Sequence, residues 1–253
     1  AGGCVAAAWR MASKAPKRGG AADDDEILSL ARPNILALAP YHCARDDYTE
    51  GVLLDANENA YGPVARCPGD ADGSWAEAAP PAVEAELNRY PSPYQWELKE
   101  LLAAHRGVRR ENFFVGVGSD EAIDLLFRVF CEPRGDNCLI TPPTYGMYKV
   151  CAAVNDVAVL KVGLTPAFDV DVGAVLAAVT PRTKLLFLCS PGNPTAKSIP
   201  LATIERLLNA RECARALVVV DEAYADFATT ESACPMVARY PRLVVLQTLS
   251  KAF

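Results

Sequence analysis

Leu217-Val218-Val219-Val220-Asp221-Glu222-Ala223-Tyr224 is the stretch on which the fold turns. Its four apolar residues, three of them β-branched, read as a strand buried on both faces, the habit of parallel sheets. An acid follows at the strand's carboxyl end. Outward from this point the pattern recurs. Short β-rich runs lie at 113–117, 138–141, 157–162, 184–189 and 243–248. Helical patterns fill the gaps at 121–130, 146–154, 170–179 and 201–211. Strands alternating with helices of about ten residues predict an α/β fold with crossover connections. Ligands of such sheets bind beyond the carboxyl ends of the strands, so the chemistry is sought there.

Each strand end offers a candidate with a plainer alternative beside it. Gly118-Ser119-Asp120-Glu121 follows the first run. It opens a helix whose backbone N–H groups suit an anion, or it is a turn with a serine cap. Pro142-Pro143-Thr144-Tyr145-Gly146-Met147-Tyr148 delivers Tyr145 either to stack on a flat ligand or to pack. Ser190-Pro191-Gly192-Asn193-Pro194-Thr195 holds Asn193 in a rigid loop that suits an amide pointing one way, or it is an ordinary turn. Asp221 puts a carboxylate at the rim, which is also how a nucleotide hydrolase places its metal-binding acid. That enzyme class requires G-x-x-x-x-G-K-[ST], and the sequence has no Gly-Lys pair. Leu249-Ser250-Lys251 ends the last run. Its lysine is either solvated or, if buried, a nucleophilic amine able to form a Schiff base.

Composition sets the outer bounds. The 253 residues are 51% hydrophobic and 22% charged, with a net charge of −6. That is a globular composition without the basic footprint nucleic-acid binding needs. No apolar run approaches the roughly 18 to 20 residues that span a bilayer. Nine cysteines and two histidines show no metal-ligand spacing, so the thiols read as small buried hydrophobes of a reducing compartment. No metal is expected. The first 22 residues hold Arg10, Lys14, Lys17 and Arg18 and no acid. They read equally as an organelle transit remnant, plastid or mitochondrial, or as a disordered tail of a cytoplasmic protein, or as an extension upstream of Met11. Residues 62–82 are rich in Pro, Gly, Ala and Asp and read as a loop. Ser92-Pro93-Tyr94-Gln95 reads as a capped helix start.

Taken together and in this order, the strand-end motifs resemble the fold-type I pyridoxal-phosphate aminotransferases, and within them the histidinol-phosphate aminotransferase family. Leu54-Asp55-Ala56-Asn57-Glu58-Asn59, Leu87-Asn88-Arg89-Tyr90-Pro91, Asp221-Glu222-Ala223-Tyr224 and Thr248-Leu249-Ser250-Lys251-Ala252-Phe253 carry the resemblance. It implies pyridoxal 5'-phosphate held by Lys251 as a Schiff base, with Asp221 on the pyridine nitrogen. It implies Asn193 and Tyr224 on the phenolic oxygen, and Tyr145 on the ring face. The phosphate would meet Ser119 and Asp120 backbone N–H groups and the Ser250 hydroxyl. Tyr90 resembles a tyrosine that reaches the cofactor phosphate of a neighbouring subunit, which implies a homodimer. Asn57, Glu58 and Tyr41 fall where the family approaches substrate. The reaction implied moves an amino group between L-histidinol phosphate and 2-oxoglutarate, with glutamate as product, in histidine biosynthesis. An aromatic aminotransferase, an amino-acid-phosphate decarboxylase or an inactive remnant with the same fold are the rivals.

The resemblance implies a large domain with a mostly parallel, seven-stranded type of sheet flanked by helices. The expected division is a tail at 1–26, an arm with part of a small domain at 27–90, and the cofactor domain at 91–253. An apolar run directly before Lys251-Ala252-Phe253 gives the expectation of a polypeptide cut before its C-terminal small domain, with little or no activity by itself. The sequence departs from the family pattern at Gly192, Ala196, Ala60 and Gln247.

Overall fold

A computed structural model describes residues 26–39, 47, 51–52, 54–61 and 87–253. Residues 1–25, the stretch 62–82 and Tyr41 lie outside the described residues, and with them the tail and loop readings and the Tyr41 part of the substrate approach, whereas Asn57 and Glu58 are described, in 54–61. The chain divides into two compact units, one built from 1–39 and 97–253 and one from 40–96.

The first unit is built on five parallel strands in the order β2-β1-β3-β4-β5. They are β1 (Asn137–Ile140), β2 (Ala158–Lys161), β3 (Thr183–Cys189), β4 (Leu217–Asp221) and β5 (Leu243–Leu246). The longer helices are α1 (Trp96–Arg106), α2 (Gly118–Phe130), α3 (Met147–Val154), α4 (Val172–Ala178) and α5 (Leu201–Asn209). Side chains alternate across the central strands, as the strand period of two requires. Leu185 and Phe187 of β3 join Leu217 and Val219 of β4 on one face, under Ile123, Phe127 and Phe130 of α2 and Tyr148 of α3. Leu186, Leu188, Val218 and Val220 point the other way, onto Val175 of α4 and Ile204 and Leu207 of α5. Both faces are therefore covered, which is why β4 reads as an unbroken apolar run. Leu207 is fully buried. Leu207→Ala is expected to destabilise the fold by about 3 kcal/mol through lost burial and a cavity, read as a lower denaturant midpoint at unchanged slope.

The residues at 26–39 belong to the sheet unit. Ile27 and Leu30 are buried in the α2–α3 face of the core. Arg32 N–H donates to Val129 O at 2.9 Å, and Arg242 pairs with Glu26 at 2.9 Å.

Two sequence expectations shift. The run 113–117 is extended but is not a strand, because it lacks ladder partners among the described residues. It shares with β5 the walls of a cavity of about 280 Å³. The helix expected at 92–95 begins at Trp96, because Gln95 has φ 52°, a left-handed conformation no helix accommodates. Ser92 Oγ still accepts the N–H groups of Tyr94 and Gln95 at 3.3 Å. The six described cysteines are buried and free. Among the described residues no helix is long and apolar enough to cross a membrane.

Candidate active site

The strand order reverses at β1. From β1 the chain moves outward to β2, then crosses back to β3 on the other side. Connections leaving β1 and β3 therefore diverge and open a crevice at their carboxyl ends. A cleft of about 130 Å³ sits there. The start of α2 contributes Ser119 and Asp120, and the loop after β1 contributes Tyr145. Asn193 arrives after β3, Asp221 is the last residue of β4, and Tyr224 follows it. Ser250 and Lys251 come from beyond β5. Tyr90 is the exception among the sequence candidates. It is an exposed residue of the 40–96 unit, and its N–H donates to Glu58 Oε1 at 2.6 Å.

The start of α2 presents backbone N–H groups at the cleft, those of Ser119 and Asp120. Gly118 adopts φ +71°, and an added Cβ would meet nothing within 4 Å. The Glu121 carboxylate accepts the Val117 N–H. Ser119 and Asp120, in the first helical turn, have backbone N–H groups that the helix ladder leaves free. Gly118→Ala is expected to cost about 1–2 kcal/mol from backbone strain alone, with weakened phosphate binding, measured by thermal unfolding and by phosphate titration.

Asp221 is the most constrained charge in the cleft, at 2% exposure. Its Oδ2 accepts from Tyr148 Oη at 2.5 Å and its Oδ1 from Ala223 N–H at 3.1 Å. Burial raises its pKa, the two hydrogen bonds oppose that rise, and the Asp120 charge adds to it. Among the described residues no cationic side chain is bonded to it. Across the cleft, Asn193 Nδ2 donates to Tyr224 Oη at 3.4 Å. Lys251 is exposed, with Nζ 5.8 Å from the Tyr224 ring centre. The lysine thus stands at the mouth of the cleft and is not sunk in the sheet, since β5 ends at Leu246. Tyr145 Oη donates to Asp120 Oδ1 at 3.2 Å, and burial followed by the Asp120 charge raises the Tyr145 pKa.

A sequence profile of the family "Aminotransferase class I and II" matches residues 49–253. The chain belongs to the class I and II aminotransferases. The histidinol-phosphate aminotransferase of Candida maltosa is 49% identical over 246 residues, covering 90% of this chain and 60% of that protein. That of Cytophaga hutchinsonii is 48% identical over 227 residues, covering 89% and 59%. Among solved structures, the Thermus thermophilus aspartate aminotransferase with maleate superposes with a TM-score of 0.55 at 28% identity. That match covers 63% of this chain and 43% of that one. The chain spans about 60% of the length of the first curated relative.

Two groups beside Asp221 escaped the sequence reading: Tyr148, buried behind the cleft, and Cys189, in its wall. Tyr148 was legible only as one more aromatic at the end of the 142–148 segment, since nothing in the sequence says that it turns into the core from the first turn of α3 while Tyr145 stays in the loop before it. Cys189 lines the cleft beside Asp221, its register partner. Burial pushes the Cys189 thiol up to about 11, so it is protonated at neutral pH. Two of the four family departures, Gln247 and Ala196, have readable surroundings. Gln247 Nε2 donates to the buried Glu222 at 2.9 Å, and Ser232 Oγ and Ala233 N–H complete its donors at 2.6 and 2.7 Å. A neutral amide thus satisfies the carboxylate where the family pattern has arginine. Ala196 carries φ 56°, the backbone that explains glycine in the family pattern at that position.

Proposed function

We propose that this aminotransferase uses pyridoxal 5'-phosphate, held on Lys251, to move an amino group between L-histidinol phosphate and 2-oxoglutarate. The observation that carries the cofactor assignment is Asp221. A nearly inaccessible carboxylate with no bonded cation among the described residues, opening on a cleft with a lysine at its mouth, calls for a cationic ligand atom deep inside. A protonated pyridine nitrogen answers that need. The remaining donors fit the same molecule: an amide–phenol pair for a ring oxygen, a helix start for a phosphate, and an amine for a carbonyl carbon.

When bound, pyridoxal phosphate supplies an electron sink for the bond broken at the substrate's α-carbon. The chain's own residues do the rest. Lys251 Nζ would hold the cofactor and would move the proton at that α-carbon. Asp221 keeps the ring nitrogen protonated through its charge. Asn193 and Tyr224 orient the ring oxygen, Tyr145 covers one ring face, and Ser119, Asp120 and Ser250 bind the phosphate. Tyr90, exposed on the 40–96 unit, reaches the cofactor phosphate of a second subunit in a homodimer.

The substrate assignment is supported by the two relatives at 49% and 48% identity. Full-length protein is expected to transaminate histidinol phosphate with 2-oxoglutarate and to form glutamate, with phenylalanine turned over far more slowly. Equal or faster turnover of phenylalanine, or release of carbon dioxide from a phosphorylated amino acid, would point to the corresponding rival. Sedimentation of the same protein as a monomer would remove the subunit-bridging role of Tyr90.

A further inference from the structure

Tyr148 has no part in the roles assigned above, yet it is a large, fully buried side chain whose polar atom ends at the cleft's central charge. Its ring stacks on Phe187 with centroids 4.6 Å apart and planes 14° from parallel. Tyr145 meets it edge-on at 5.7 Å. These contacts leave the ring no freedom to swing, so its hydroxyl is delivered to one place. There it donates to Asp221 Oδ2 at 2.5 Å, while the Ala223 N–H holds Oδ1 at 3.1 Å. Burial and the Asp221 charge push the Tyr148 phenol far above its ordinary range, so it is always the donor.

We propose that Tyr148 is a positioning residue: its hydroxyl clamps one oxygen of Asp221, keeping that carboxylate ionised and aimed at the ring nitrogen of the cofactor. The consequence for cofactor binding rests on the pyridoxal-phosphate reading, but the coupling between Tyr148 and Asp221 does not. A hydrogen bond to a buried charge shifts its titration by about one pH unit or more. The other groups around Asp221 do not replace this one. Asp120 on α2 opposes ionisation through its like charge. Cys189 on β3 has a thiol pushed up to about 11. Tyr145 and Tyr224 line the cleft with their hydroxyls engaged by Asp120 and Asn193. Lys251 lies at its mouth.

The test is Tyr148→Phe in the full-length protein, a change that keeps the stacked ring and removes only the donor. Carbon-13 resonances of aspartate carboxyls are followed against pH without cofactor, with Asp221→Asn identifying the signal. The Asp221 midpoint is expected to rise by about one pH unit or more. The acid limb of pyridoxal-phosphate binding, followed by fluorescence, is expected to move up by the same interval. An unmoved Asp221 midpoint overturns the proposal. So does an affinity loss equal at every pH with that midpoint unmoved, which is the signature of packing alone. If the midpoint moves but neither protein binds the cofactor, the coupling stands and the cofactor reading fails. Should the phenylalanine variant not fold, the unsubstituted protein still decides. Its Tyr148 hydroxyl proton is expected far downfield and tracking the Asp221 titration, and the lack of such tracking overturns the proposal.

Discussion

Lys251→Ala in the full-length protein is expected to lower kcat/KM for transamination by about a thousandfold or more, on the order of 4 kcal/mol of transition-state stabilisation. Among the described residues Lys251 is the one amine lining the cleft, and none of the others there can take over its proton transfer. The substitution should leave the fold intact, because the side chain is exposed and the core ends before it at Leu246. Unfolding midpoints of the two proteins should therefore agree while the visible absorption acquired with pyridoxal phosphate is lost. An unchanged spectrum in the alanine variant would remove the covalent role. Retained activity with a lost spectrum would mean that another amine reaches the cleft in the assembled protein.

The second large effect belongs to Asp221, and its two parts have opposite sign. Asp221→Asn keeps the shape and removes the charge that would face the ring nitrogen. Activity is expected to fall by about a hundredfold to a thousandfold, the scale for losing one preorganised electrostatic contact. Stability without cofactor should not fall with it. Burial raises the Asp221 pKa above its ordinary 3.8, so the folded state holds the proton more tightly than the unfolded one. Its contribution to stability is therefore fully present below about pH 3.8 and is lost as pH rises through the folded-state value. Asparagine lacks this loss. Without cofactor the variant should match or exceed the parent's stability at neutral pH, and the two curves should converge in acid. A variant that is less stable at pH 7 would show that Asp221 is a structural anchor whose charge the fold needs.

Much of the architecture was legible because burial on two faces leaves a simple mark. Runs such as Leu217–Asp221 are nearly all apolar where helices cover both sides of a sheet, and four such runs became buried strands, while β2 at the sheet edge is half-exposed. The run at 113–117 has the same composition and is no strand. Strand formation requires a hydrogen-bonded neighbour, and composition does not say whether one is present. The helix beginning at Trp96 shows the same limit, since the caps of Ser92 are made but the backbone of Gln95 postpones the helix.

For the site, the motif residues after each strand pointed to one cleft, since parallel strands place all their carboxyl ends on one edge. Sequence alone determined that edge, the chemistry available on it and the family. The tertiary structure decided which groups face one another. Tyr148 is distant from Asp221 in the chain, and their contact exists because the tyrosine ring stacks on Phe187 of β3, the strand paired with β4. It also decided that Lys251 stands exposed at the cleft mouth while Asp221 is sealed beneath it, a difference in burial that two polar residues at strand ends do not announce. Residue types set what chemistry can occur. Packing across the sheet sets the distances and the desolvation that decide which of it does.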